Sequence, residues 1–254
     1  MNNNILLGLV AVLLFSVEAT ASDLAKEQRW REQVADSIMD GEEVDVMVDG
    51  RGVFSIYTEA AEDSTKGMII AHGIGVHPNW DQVILPIRVQ MAERGWHTLS
   101  IQMPILKNEA EAKDYSKIYP EAGPRLEAAE KFLQDRGIKN WVYVGHSMGS
   151  QMIALYLSKQ SPAQARGFVA IGMNAAQDDP VVNAANSLKN IKLPVLDLYG
   201  SEDLDYVLSS AEKKRLAATH NNAYTQKMVK GANHFFDGKN DELIEIVEDW
   251  SSKL

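Results

Sequence analysis

The segment Gly145-His146-Ser147-Met148-Gly149 carries the most specific chemical content in this sequence. A serine hydroxyl is a weak nucleophile at its own pKa. It becomes reactive when a base takes its proton and when fixed dipoles await the charge its attack creates. The surroundings suit that chemistry, since Trp141–Val144 reads as a strand leading in and Met148–Gln160 as a helix leading out. In that setting the turn is sharp and strained, and glycines at its flanks avoid collisions with neighbouring backbone. Such a turn lifts the Ser147 hydroxyl clear of a sheet and sets it at a helix N-terminus, where free amides and the helix dipole favour negative charge. Six histidines compete to be its base: His72, His77, His97, His146, His220 and His234. A second glycine-bearing stretch, His72-Gly73-Ile74-Gly75, follows the apolar run Gly67–Ala71. Its spacing is not the G-x-G-x-x-G of a dinucleotide site.

These residues need a scaffold, and the pattern along the chain supplies one. Residues 23–39 repeat Leu24, Trp30, Val34 and Ile38 at near-helical spacing. Two β patterns, Glu43–Val48 and Gly52–Thr58, flank the turn signal Asp49-Gly50. Strand and helix patterns then alternate: strands at Gly67–Ala71, His97–Gln102, Trp141–Val144, Gly167–Gly172, Val195–Tyr199 and Tyr224–Val229. Helices are expected at Trp80–Arg94, Gly123–Arg136, Met148–Gln160, Ser209–Thr219 and Asp241–Trp250. Repeated β–α units after an antiparallel start imply an α/β domain whose mostly parallel sheet has helices on both faces. Functional groups in such sheets sit just past the carboxyl ends of strands. No linker or repeat divides the chain, so residues 22–254 are expected to form one domain with an N-terminal helical extension at 22–40.

On these motifs the chain resembles the α/β-hydrolase superfamily, over roughly residues 43–254, and within it bacterial exported members without a large lid domain. The resemblance implies that Ser147 is the nucleophile and that the backbone amide of Met148 is one oxyanion donor. The family's His-Gly pair after its third strand matches His72-Gly73, so the second donor is expected to be the amide of Ile74. The family order of serine, acid, histidine leaves His220 and His234 as bases. His234 follows the last strand pattern and precedes the last helix, where the family carries its base; His220 reads as a helix-end surface residue. His72 reads as a loop brace and His146 as packing beside the nucleophile. His77 and Trp80 either rim the pocket or cap a helix. The orienting acid should follow the strand at 194–199, where Gly200-Ser201-Glu202-Asp203 fits the family's Gly-x-x-Asp loop. Asp203 is the expected acid, with Asp205 and Glu202 as alternatives; Asp197, inside the strand, should point into the sheet packing.

The activity so implied is that of a serine hydrolase, first a carboxylic ester hydrolase working through a Ser-His-Asp triad and an acyl-enzyme. It needs no metal or cofactor, and its partner is a small-molecule acyl substrate. Amidase, thioesterase and acyltransferase chemistry would use the same triad, and a catalytically silent envelope binding protein would use the same fold. Met103, Ile105 and Met173 are candidates for an apolar pocket lining, with the core as the better expectation for single apolar side chains.

Composition narrows the classes further. The 254 residues carry a net charge of −10 without a Lys/Arg-rich run, which speaks against nucleic acid as a partner. There is no cysteine, which excludes disulfides, thiolate metal sites and cysteine nucleophiles. Ile5–Phe15 is an apolar run broken only by Gly8, followed by Ala19-Thr20-Ala21. This has the form of a signal peptide, residues 1–21, cut between Ala21 and Ser22. The run is too short for a permanent membrane span, which needs about 20 residues. The chain is therefore expected to be exported, periplasmic or secreted, with no stable membrane span after cleavage. The sequence leaves its oligomeric state open.

Overall fold

The computed structural model describes residues 22–254, so the expected signal peptide lies outside the described residues. The Asp49-Gly50 turn closes a hairpin of β1 (Glu42–Val48) and β2 (Arg51–Thr58), with Val48 opposite Arg51. Then follow β3 (Lys66–Ala71), β4 (His97–Ile101), β5 (Asn140–His146), β6 (Ala165–Ile171), β7 (Val195–Glu202) and β8 (Tyr224–Asn233). The eight strands form one sheet in the order β1-β2-β4-β3-β5-β6-β7-β8. Only the β1–β2 and β2–β4 pairs are antiparallel.

The near-continuous apolar strands follow from burial of both faces, because successive side chains alternate across a sheet. Ile69, Leu99, Tyr143 and Phe168 pack on one side with α3 (Ala122–Asp135), α4 (Met148–Leu157) and α5 (Ala184–Leu188). Met68, Ile70, Val144 and Leu198 pack on the other with α2 (Ile84–Glu93) and α8 (Asn240–Ser251). Among the described residues no helix is long and apolar enough to cross a membrane.

Two expected helices come out differently. The helix expected from Trp80 begins at Ile84, because Val83 has φ 63°, a left-handed backbone rare for a β-branched residue. The helix expected at Ser209–Thr219 is α7 (Ala211–Ala217), shorter by two residues at each end, and a separate short helix, α6 (Asp205–Leu208), precedes it. In the polar stretch between β4 and α3, where the sequence shows no helical or strand period, two 3₁₀ turns, Ala112–Lys117 and Tyr119–Glu121, lead into α3.

The N-terminal helix α1 (Leu24–Ala35) starts at Asp23, whose side chain accepts from the Lys26 amide at 2.9 Å. Val34 packs on Phe54 and Ile56 of β2. Glu27 pairs with the buried Arg125 of α3 at 2.8 Å, and Lys26 Nζ donates to the Leu106 carbonyl at 2.9 Å. The extension thus covers the antiparallel edge of the sheet and the segment that follows β4.

Candidate active site

Ser147 sits between β5 and α4 with φ 52° and ψ −121°, a strained backbone for a residue with a side chain. The flanking glycines are dictated by contact. A Cβ on Gly149 would lie 2.3 Å from the Ala71 carbonyl oxygen, and one on Gly145 would lie 2.5 Å from Ser150 Cα. Met148 is the first residue of α4, so its amide has no acceptor within the helix. Ser147, Met148 and Ile74 border one cavity of about 360 Å³. Uncharged side chains form the rest of its wall, among them Tyr115, Tyr119, Gln151, Asn174, Gln177 and Tyr206. Gln151 braces that wall: it accepts from the Tyr119 hydroxyl at 3.2 Å and donates to the Val182 carbonyl at 2.6 Å.

Asp203 and His234 meet through strand register. The last residues paired between β7 and β8 are Glu202 and Asn233, so the next residue on each strand is Asp203 and His234. The His234 Nδ1–H donates to Asp203 Oδ1 at 2.6 Å, and both residues are buried. That bond fixes the tautomer and leaves the Nε2 lone pair free to accept a proton. Burial pushes the Asp203 carboxyl up. The His234 bond and the amides of Leu204 and Gly200 outweigh it and hold the group below the ordinary aspartate value.

Ser147 and His234 border a smaller pocket of about 120 Å³ together with Gly73, Trp80 and Phe235. Among the described residues no hydrogen bond joins the Ser147 hydroxyl to the imidazole; the closed link is Asp203–His234. Of the alternative acids, Glu202 is the exposed last residue of β7 and Asp205 starts α6; neither bonds to His234.

The other histidines hold the site's framework. His72 Nδ1–H donates to the Gly73 carbonyl at 2.8 Å while Nε2 accepts from the Met103 amide at 2.9 Å, so the ring spans the loop that carries Ile74. Burial pushes it down to about 3, and it stays neutral. His146 Nε2–H donates to the His234 carbonyl at 3.0 Å, and the two ring centroids are 4.9 Å apart. Burial, then the neighbouring His234, takes His146 down to about 4. Trp80 rims the smaller pocket, backed by His77 at 5.5 Å between ring centroids. His220 is exposed at the end of its helix region.

Three apolar candidates prove to be core: Met103, Ile105 and Met173 are fully buried and line neither pocket. Several residues of the site gave little warning, Tyr115 and Tyr119 in the cavity wall and Gly172 beside the imidazole. Gly172, just past β6, has φ 59°, and a Cβ there would lie 2.8 Å from His234 Cε1. A glycine at the end of an apolar strand pattern was its only signal.

Solved structures share this architecture. Est1E from Butyrivibrio proteoclasticus aligns with a TM-score of 0.67 at 13% identity, over 84% of this chain and 98% of its own. The Pyrococcus furiosus esterase Pf2001 aligns with a TM-score of 0.67 at 15% identity, over 87% and 93%. A dienelactone hydrolase from Anabaena variabilis aligns with a TM-score of 0.64 at 19% identity, over 83% and 96%. The fold is therefore that of the α/β-hydrolase superfamily. At these identities the likeness carries the fold and not the activity. No curated protein matches the sequence. A family described as protein of unknown function (DUF3530) matches residues 17–122 and 107–253.

Proposed function

The chain belongs to the family described as protein of unknown function (DUF3530), and from its fold and site we propose that it is an exported serine hydrolase that cleaves carboxylic esters. The observation that carries this reading is the buried 2.6 Å bond between Asp203 and His234 on the pocket that the strained Ser147 also borders. Esterases and dienelactone hydrolases among the proteins of like fold support the hydrolase class. The apolar run with Ala19-Thr20-Ala21 supports export and cleavage after Ala21.

In the proposed reaction Ser147 Oγ attacks the ester carbonyl as His234 Nε2 takes its proton. The amides of Ile74 and Met148 receive the oxyanion, each worth about 3 kcal/mol of barrier lowering. His234 returns the proton to the departing alcohol. Water then attacks the acyl-enzyme with His234 again as base, and the acid leaves. Asp203 orients the imidazole throughout and stabilises its charged form. The Ser147–His234 contact is the kind that is often loose without substrate and tightens when one binds.

The test is turnover of a p-nitrophenyl ester by the wild type and by Ser147→Ala. The variant should lose about 10⁶-fold in kcat. Undiminished turnover by folded Ser147→Ala would contradict the proposal. Parallel p-nitroanilide and thioester substrates separate ester from amide and thioester preference.

A further inference from the structure

Ser22, the residue that cleavage after Ala21 would leave at the front of the chain, is held in the fold. Its backbone nitrogen stands 3.2 and 3.4 Å from the two carboxylate oxygens of Glu121, and its hydroxyl donates to Glu121 Oε2 at 2.7 Å. Arg125 Nη2 donates to Ser22 Oγ at 3.3 Å, and the Asp23 amide donates to the Ile105 carbonyl at 2.8 Å. Ser22 is only 6% exposed.

The chemistry of this contact is unbalanced in the uncut chain. A peptide nitrogen carries one hydrogen and no net charge, yet two anionic oxygens face it. The nearby cation does not serve Glu121: Arg125 is engaged with Glu27 at 2.8 Å and with the Gln102 carbonyl at 2.8 Å. Among the described residues no lysine, arginine or histidine pairs with Glu121. An α-ammonium group has three hydrogens and one positive charge, which matches what the carboxylate offers.

We propose that Glu121 is the receptor for the α-ammonium group of the processed chain. Processing adds water across the Ala21–Ser22 bond. The new carboxylate departs with residues 1–21, and the new amine keeps a proton and pairs with Glu121 in place. This rests on the expected cleavage site and not on the hydrolase reading. It ties maturation to the candidate active site, because Glu121 ends the 3₁₀ turn that begins with Tyr119, a wall residue of the Ser147 cavity. The ion pair would lock α1 and that wall together once the leader is gone.

The test compares thermal midpoints of two forms of the chain: one released from a fusion so that it starts at Ser22, and one that starts two residues earlier with Thr20-Ala21. Each is also made with Glu121→Gln. The extension should lower the midpoint by about 2–4 °C beside Glu121, and the two forms should coincide once position 121 is glutamine. A loss of equal size in both backgrounds, or none in either, overturns the proposal. Should Glu121→Gln fail to fold, N-terminal acetylation of the Ser22 form removes the charge and leaves Glu121 untouched. It should bring the midpoint down to that of the extended form, and an unchanged midpoint overturns the proposal. N-terminal sequencing of the exported protein should read Ser22 first. Any other first residue overturns the cleavage on which the proposal rests, whatever the melting data show.

Discussion

Gly172→Ala should damage the candidate active site without touching a reacting atom. A Cβ at position 172 would stand 2.8 Å from Cε1 and 2.9 Å from Nδ1 of His234, and 3.6 Å from Asp203 Oδ2. Carbon atoms rest in contact at about 3.5 Å, so the imidazole must retreat by roughly 0.7 Å. It cannot do so freely, since Nδ1 is bonded to Asp203 at 2.6 Å and His146 grips the His234 carbonyl. A misplacement near 1 Å costs about 100-fold in rate. The expected result is a fall of about 10- to 100-fold in kcat on a p-nitrophenyl ester. KM should change little, because Gly172 does not border the larger cavity. Alanine at φ 59° adds backbone strain of about 1–2 kcal/mol, equivalent to a loss of about 2–8 °C in Tm. Gly137→Ala is the control: its φ is 81°, it follows α3, and nothing lies within 4 Å of its added Cβ. It should lose similar Tm and keep its kcat. Full activity in folded Gly172→Ala, or an equal loss in Gly137→Ala, would refute the reasoning.

Further outcomes follow from the same geometry. Asp203→Asn removes the charge that steadies the imidazolium and should lower kcat by about 10⁴-fold with circular dichroism unchanged; a loss below tenfold would point to another carboxylate. Acid should destabilise the fold early. His72 is held down to about 3 and His146 to about 4, so below about pH 6.5 the unfolded chain binds more protons than the folded one. Stability should therefore decline by a few kcal/mol from pH 6.5 to pH 4. The depressed Asp203 adds stability that is present above about 3.9 and is lost as pH falls through its lower folded value. Urea midpoints at pH 7, 5 and 4 read this decline, and a constant midpoint would contradict it. Lys214→Met leaves Asp197 buried without its 2.7 Å partner and should cost about 3–5 kcal/mol in urea unfolding; a cost under 1 kcal/mol would mean that Asp197 is satisfied by Tyr224 and Gln226 alone.

How far the sequence revealed the fold and site depended on the range of the interaction involved. The turn at Ser147 is local, and its glycines, the strand before it and the helix after it all appear within twenty residues, so its form was legible. The two-sided burial of β3 was legible in Gly67–Ala71 for the same reason. The meeting of Asp203 and His234 is not local. Chain order pointed to it, but β7 and β8 run several residues beyond their apolar patterns, and only the register that ends at Glu202 and Asn233 brings the two together. Val83 could not be foreseen, because a left-handed valine contradicts its own propensity and is imposed by its surroundings. Tyr115 and Tyr119 were hidden in a polar stretch whose 3₁₀ turns have no long period to detect. Gly172 was hidden for a different reason: its role is set by a ring 62 positions away, and no local pattern encodes that.

The central claim is that the hydroxyl of Ser147 is the activated nucleophile. Treatment of the folded protein with a fluorophosphonate, followed by peptide mass mapping, tests it directly. One phosphonyl group on the peptide that contains Ser147, absent in Ser147→Ala and strongly slowed in His234→Ala, is the predicted result. Modification of a different serine, or no modification of the folded wild type, would contradict it.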